Sequence, residues 1–265
     1  MYQTTYVRAA SLAEAESLLR DNPEAKLISG GQTLVPTLRQ RLARPSHLVD
    51  IAHLVELRGI SLEGSRVVIG ATTTHADVAA SDLVRQKVPA LAYLAGLIGD
   101  PPVRHLGTIG GSIANSDPAA DYPAAVLALN ATVQTSKRTI PADDFFTGLF
   151  ETALDASEIV LSVSFPVPWR CGYEKFQQSA SRFALVGVFV AVLADGSMRV
   201  AVTGAGPRVF RATSIEAALA QSFTAEAAES ASVSAEGLNS DIHGSAEFRA
   251  HLVPVLAGRA VARAG

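Results

Sequence analysis

Lys26-Leu27-Ile28-Ser29-Gly30-Gly31-Gln32-Thr33-Leu34 leads from a short apolar stretch into a glycine pair followed by amide and hydroxyl side chains. About eighty positions on, Gly107-Thr108-Ile109-Gly110-Gly111-Ser112 has the same make-up. Glycine tolerates positive φ and has no Cβ, so consecutive backbone N–H groups can converge on an anion. Either segment alone also reads as an ordinary turn between strand and helix. Together they predict two loops around the phosphates of a nucleotide cofactor.

The surroundings narrow the cofactor. The second segment extends the polar set to Asn115, and a long loop is expected to about residue 118. Neither loop has the spacing G-x-G-x-x-G or G-x-x-x-x-G-K-[ST], and neither contains lysine. This argues against a nicotinamide dinucleotide on a Rossmann domain and against ATP hydrolysis. A neutral loop pair suits a tightly bound dinucleotide held through backbone N–H groups. Asp121 follows at an expected helix start, where capping that helix and accepting from a ribose or ring N–H are both open to it.

Composition sets outer limits. The 265 residues are 48% hydrophobic, enough for one large domain or two ordinary ones, and 22 basic residues nearly balance 25 acidic ones without a block of like charge. Nucleic acid is therefore not an expected partner. The longest uncharged apolar run, residues 183–194, is too short for a membrane span and reads as a buried strand. A lone Cys171 leaves no internal disulfide and cannot supply the four thiolates of an iron–sulfur cluster. With no secretory pattern at the N-terminus, a cytoplasmic protein is expected. The six histidines have no metal-ligand spacing, and no G-x-S-x-G elbow marks a hydrolase.

Ser11 and Glu14 have capping-box spacing ahead of a helix ending near Asn22-Pro23. Strands are expected at 26–28, 47–51, 59–62 and 66–70, then a helix capped by Thr73 or Thr74 and another from Pro89 to Ile98. A helix over 121–129 and strands at 132–135 and 158–165 follow, and residues 166–170, rich in proline, suit a domain boundary. Beyond it, residues 183–193 and 198–203 flank Asp195-Gly196, a hairpin signal, and helices are expected at 213–220, with Thr213 and Glu216 as a second capping box, and at 247–264.

The sequence resembles the FAD-binding medium subunits of molybdenum hydroxylases, the family of carbon monoxide dehydrogenase and xanthine dehydrogenase. The matching segments are residues 28–36 with His47-Leu48-Val49-Asp50, then Val68-Ile69-Gly70-Ala71-Thr72-Thr73, residues 98–123, Tyr173-Glu174-Lys175-Phe176 and Ala246-Glu247-Phe248-Arg249. Each is short, but their order and spacing cover essentially the whole chain. The resemblance implies an α+β fold: a two-part FAD domain of the vanillyl-alcohol-oxidase (PCMH) type over 1–166, with subdomains of about 1–55 and 56–166, then a smaller α/β domain of the carbon monoxide dehydrogenase flavoprotein type over 167–265.

By that similarity, Ser29, Gly30, Gly31, Gln32, Thr33 and Leu34 with Thr108, Gly110, Gly111 and Ser112 hold the pyrophosphate of non-covalent FAD. Asn115 and Asp121 reach the ribityl or flavin region, and Ile98 and Leu161 line apolar faces. The implied role is an electron-transfer oxidoreductase subunit, with molybdopterin and [2Fe-2S] clusters on a large and a small partner subunit. A stand-alone flavin reductase or oxidase on the same FAD domain is the alternative. The chain departs from the family twice. Gln177 stands where such subunits often have lysine, and Arg182-Phe183 where many have Asp-Tyr. A cation missing near the flavin disfavours its anionic reduced form, so either a lower potential or compensation by Arg182 is expected.

Overall fold

Three larger sheets and a two-stranded ribbon, Phe146–Gly148 with Glu151–Thr152, organise residues 1–264, which the computed structural model describes. The first is parallel, with His47–Asp50 between Thr5–Arg8 and Lys26–Ile28. The helix Leu12–Asp21 opens where expected: Ser11 accepts from the Glu14 amide, and Glu14 reaches back to accept from the Ala10 amide. Its Ala15 and Leu19 are buried with Val49 and Ile51, so the 3.6-residue period of the helix meets the apolar face of the sheet.

The second sheet is antiparallel and five-stranded, in the order Ile60–Glu63, Arg66–Gly70, Val160–Pro166, Thr132–Thr135, Thr139–Pro141. The helix Pro89–Gly96 buries Ala90, Leu91, Ala92, Leu94 and Ala95, a helix apolar nearly all round because it lies inside the core. Tyr122–Ala128 is buried at every position.

The third sheet is antiparallel, in the order Arg170–Gln177, Ala184–Val192, Met198–Thr203, Phe210–Arg211. Ala184–Val192 is buried along its whole length, and side-chain alternation divides it between two cores. Phe189 and Ala191 join the core of the second sheet. Val186, Val188 and Val190 pack with Val253, Leu256 and Ala260 of the helix Ala246–Arg263. The apolar run read from the sequence is thus a strand covered on both faces. The hairpin turn falls at Gly196, φ +83°.

Three expectations change. The long loop over 107–118 is instead a helix, Ile109–Asn115, whose N-cap Thr108 accepts from the Gly111 amide. Its glycines depress helix propensity, which hid it, but Gly110 must be small because an added Cβ would lie 2.5 Å from Ala71 Cβ. No helix was expected between Ile98 and the second glycine segment, yet Asp100 caps one, Pro101–Leu106. Glu216 forms no capping box. It pairs with Arg211 and accepts from the Val200 amide, and the helix Thr213–Gln221 starts without a side-chain cap.

Candidate cofactor site

A cavity of about 590 Å³ opens between the first two sheets and reaches the turn at residues 181–183 that joins two strands of the third. The first glycine segment forms one wall as it leaves the strand Lys26–Ile28. Gly31 takes φ +68°, which turns the chain back toward the helix Leu34–Arg39. The backbone N–H groups of Gly30, Gly31, Gln32 and Thr33 donate to no acceptor among the described residues, while Gln32 Nε2 donates to Gly30 O. Four successive free amides form an uncharged cradle for an anion.

The second glycine segment is built differently. Its Ile109 and Gly110 amides donate to Thr73 O and Ala71 O, and Ser112 N–H donates to Thr108 O. Its amides are therefore largely spent on the fold, and it offers hydroxyl groups and a rigid backbone instead. The two segments touch directly. A Cβ on Gly30 would lie 2.1 Å from Leu106 O, and Thr108 Oγ1 donates to Ser29 Oγ at 3.2 Å.

Of the fifteen residues anticipated from sequence, the structure brings thirteen to this cavity: residues 29–34, Ile98, Thr108, Gly110, Gly111, Ser112, Asn115 and Asp121. Leu161 and Gln177 lie off its wall. The strand Val160–Pro166 shifts register between Val160 and Ser162, so Ile159 and Val160 supply the apolar lining beside Leu161. Gln177 is exposed at the end of its strand, after a register shift that follows Phe176. Arg182 and Phe183 do line the cavity.

Asp121 does not cap its helix. Its carboxylate accepts from Tyr173 Oη at 2.6 Å and pairs with Lys175 Nζ at 2.9 Å. Burial raises this carboxyl, and Lys175 and Tyr173 oppose that rise. The third sheet also grips the chain just before it. Gly204 N–H donates to Pro118 O, Thr203 Oγ1 donates to Ala120 O, and Ala184 N–H donates to Ala119 O. Sequence reading singled out Tyr173-Glu174-Lys175 without this role, although alternation along a strand puts Tyr173 and Lys175 on one face.

Other residues in and around the wall had no role assigned from the sequence. Burial, with the nearby Arg104 charge, pushes the His75 imidazole down to about 4, so it is neutral at physiological pH. Its Nδ1 and Thr72 Oγ1 are buried without a partner among the described residues. Glu158 is pushed up by burial but held at about 2 by donors from Arg138, Thr135 and the Asp155 amide. Arg104 is turned away from any phosphate role, its Nη1 donating to Ile98 O and Gly99 O. No cluster of three or more potential metal ligands occurs among the described residues.

The donor set fits FAD. Free amides and neutral hydroxyls suit a pyrophosphate that stays bound, and Ile98, Leu154, Ile159 and Val160 give the same cavity apolar surface for rings. Comparison with known proteins agrees. A family model for the FAD binding domain in molybdopterin dehydrogenase matches residues 2–168, and one for the CO dehydrogenase flavoprotein C-terminal domain matches residues 172–264. The carbon monoxide dehydrogenase medium chain of Hydrogenophaga pseudoflava is 36% identical, over 98% of this chain and 94% of its own. The nicotine 6-hydroxylase medium subunit of Paenarthrobacter nicotinovorans is 36% identical, over 98% and 96%. Among solved structures, quinoline 2-oxidoreductase from Pseudomonas putida 86 superposes with a TM-score of 0.89 at 32% identity, covering 99% of this chain and 97% of that one.

The fold and site define an FAD-binding oxidoreductase subunit with a flavoprotein C-terminal domain. The chain belongs to the family of FAD-binding medium subunits of molybdenum hydroxylases. Among the described residues no helix is long and apolar enough to cross a membrane.

Proposed function

We propose that this chain is an electron-transfer subunit: electrons from iron–sulfur clusters on a small partner subunit, originating at molybdopterin on a large one, leave through its FAD to an external acceptor. The observation that carries this reading is the cavity itself, with free amides at one end and apolar surface at the other. The lone Cys171 supports it, because clusters must then sit on other chains. The assembly is placed in the cytoplasm, in keeping with that unpaired thiol.

FAD supplies the redox chemistry, and the chain supplies position and electrostatics. The amides of residues 30–33 hold the pyrophosphate, and the hydroxyl groups of Ser29, Thr33 and Ser112 complete its neutral shell. The segment Thr108–Gly111 braces the first loop from behind. Asn115 and Asp121 address the ribityl and flavin region, and Ile98 covers the rings. Two units divide the work: residues 1–166, split near 55, form the cofactor domain, and 167–265 the unit that clamps its wall. Gly265 lies outside the described residues.

Purification from the native source tests this. Iron and molybdenum should co-elute with the chain together with a small and a large subunit. Recovery as a free monomer that turns over its own substrate would favour the stand-alone reductase or oxidase instead.

A further inference from the structure

Lys175 does not line the cavity, yet three segments that do are tied to it. Its ammonium donates to Leu97 O at 3.1 Å, to Asp121 Oδ2 at 3.1 Å and to Arg182 O at 2.8 Å. An ammonium has three N–H donors, and these three acceptors use them all. The side chain is only 2% exposed and that of Asp121 4%. A buried ion pair is often no more stabilising than apolar residues of the same volume, so the value of this one lies in the geometry it fixes.

What it fixes is the turn 178–183. Arg182 adopts φ +61°, the left-handed region that a side chain disfavours. Within the turn, Gln178 N–H donates to Phe183 O at 2.9 Å and Arg182 N–H donates to Gln178 O at 2.8 Å. Its ties to the cavity wall are the Lys175 bond and a long one, 3.4 Å, from Arg182 Nη1 to Gly99 O. Lys175 thus joins an exposed turn to two hydrogen-bonded wall segments: the carbonyl end of the helix Pro89–Gly96, and Asp121, itself held by Tyr173.

We propose that Lys175 is a positioning residue for the flavin site: by bridging Leu97, Asp121 and Arg182 it holds the 178–183 turn so that Arg182 and Phe183 wall the cavity and limit solvent access to the bound flavin. This rests on the FAD reading above. Lys175 acts through the turn and does not touch the cofactor.

The test uses the full chain with and without FAD, comparing wild type with Lys175→Met, which keeps the stem and removes the ammonium. FAD should still be taken up, since the amide cradle is untouched, while iodide quenching of the bound flavin's fluorescence rises by about threefold or more. Trypsin should cut after Arg182 about tenfold faster, with or without FAD. Unchanged quenching and unchanged cleavage overturn the proposal. A chain that takes up no flavin sinks the flavin reading, whereas the cleavage rate still tests the hold on the turn. In wild type, the Arg182 amide should exchange with solvent about tenfold slower than in a peptide of residues 176–184. An unprotected amide overturns the proposal even if Lys175→Met does not fold.

Discussion

Thr108 donates its hydroxyl hydrogen to Ser29 Oγ at 3.2 Å, joining two glycine segments that lie 79 positions apart in the chain. The same oxygen accepts from the Gly111 amide at 3.3 Å and caps the helix Ile109–Asn115. One buried side chain therefore starts a helix and braces the loop that carries the free amides.

Removing that side chain should cost more than removing its partner. Thr108→Val loses a cap worth about 1 kcal/mol and a hydrogen bond worth about the same. Ser29→Ala loses only the bond. Urea denaturation of the FAD-free chain should place Thr108→Val lower in stability by about 1 kcal/mol than Ser29→Ala. Equal midpoints would deny Thr108 its double role.

The glycines separate into those packed against backbone and one whose added Cβ would meet only a side-chain hydroxyl. Gly30→Ala puts a methyl 2.1 Å from Leu106 O, and Gly110→Ala puts one 2.7 Å from Ala71 O, so both should destabilise the chain by about 2 kcal/mol or more even without FAD. Around Gly111 an added Cβ meets only Thr108 Oγ1, at 3.0 Å. Gly111→Ala should leave the melting temperature of the FAD-free chain nearly unchanged and weaken FAD binding. Thermal melts with and without FAD distinguish the two groups. A Gly30→Ala chain as stable as wild type would contradict the packing account.

His75 makes stability depend on pH in a defined direction. Its folded value, about 4, lies below the ordinary 6.5, so the folded chain binds fewer protons than the unfolded chain between those values. The stability it contributes is complete above about pH 6.5 and is lost as pH falls through about 4. The loss should approach about 3 kcal/mol, at 1.36 kcal/mol for each pKa unit. His75→Phe keeps a ring beside Tyr122, 5.3 Å away in wild type, and should flatten this part of the profile. Parallel denaturation curves at pH 7 and pH 4.5 check it; an identical slope in the variant would exclude His75 as the source.

Arg182 on the cavity wall, and not Gln177 off it, is the cation placed to affect the flavin potential. Losing one pKa unit's worth of interaction corresponds to about 30 mV in a two-electron couple. Arg182→Ala should lower the potential by about that much, and Gln177→Lys should change it less. Redox titration decides: a larger shift in Gln177→Lys than in Arg182→Ala would restore Gln177 to the site.

Much of this was legible in the residues. Ser11 and Glu14 marked a helix start through local hydrogen bonds, Asp195-Gly196 marked a turn through φ, and the glycine and hydroxyl content of residues 29–34 marked a loop that lines the cavity. What escaped depended on distance. The helix Ile109–Asn115 hides behind its own glycines, which exist because Ala71 lies against Gly110. Asp121 was left open between a cap and a ligand contact because nothing local reveals Tyr173 and Lys175 arriving from another sheet. Leu161 was expected on the wall from the family resemblance alone, and a register shift beside it gives that place to Ile159 and Val160. Composition treated the two loops as equals, whereas the fold spends the amides of one and leaves those of the other free.

Flavin content tests the central claim most directly. Wild type, Gly31→Val and Gly111→Val, purified alike and checked for folding by circular dichroism, are precipitated with acid and the supernatant is assayed for FAD. Gly31→Val strains a backbone at φ +68° in the free-amide loop, and Gly111→Val crowds the opposite wall. Wild type should release close to stoichiometric FAD and both folded variants only a small fraction of it. A colourless wild-type chain that takes up no FAD, or full flavin content in both variants, would contradict the two-loop site.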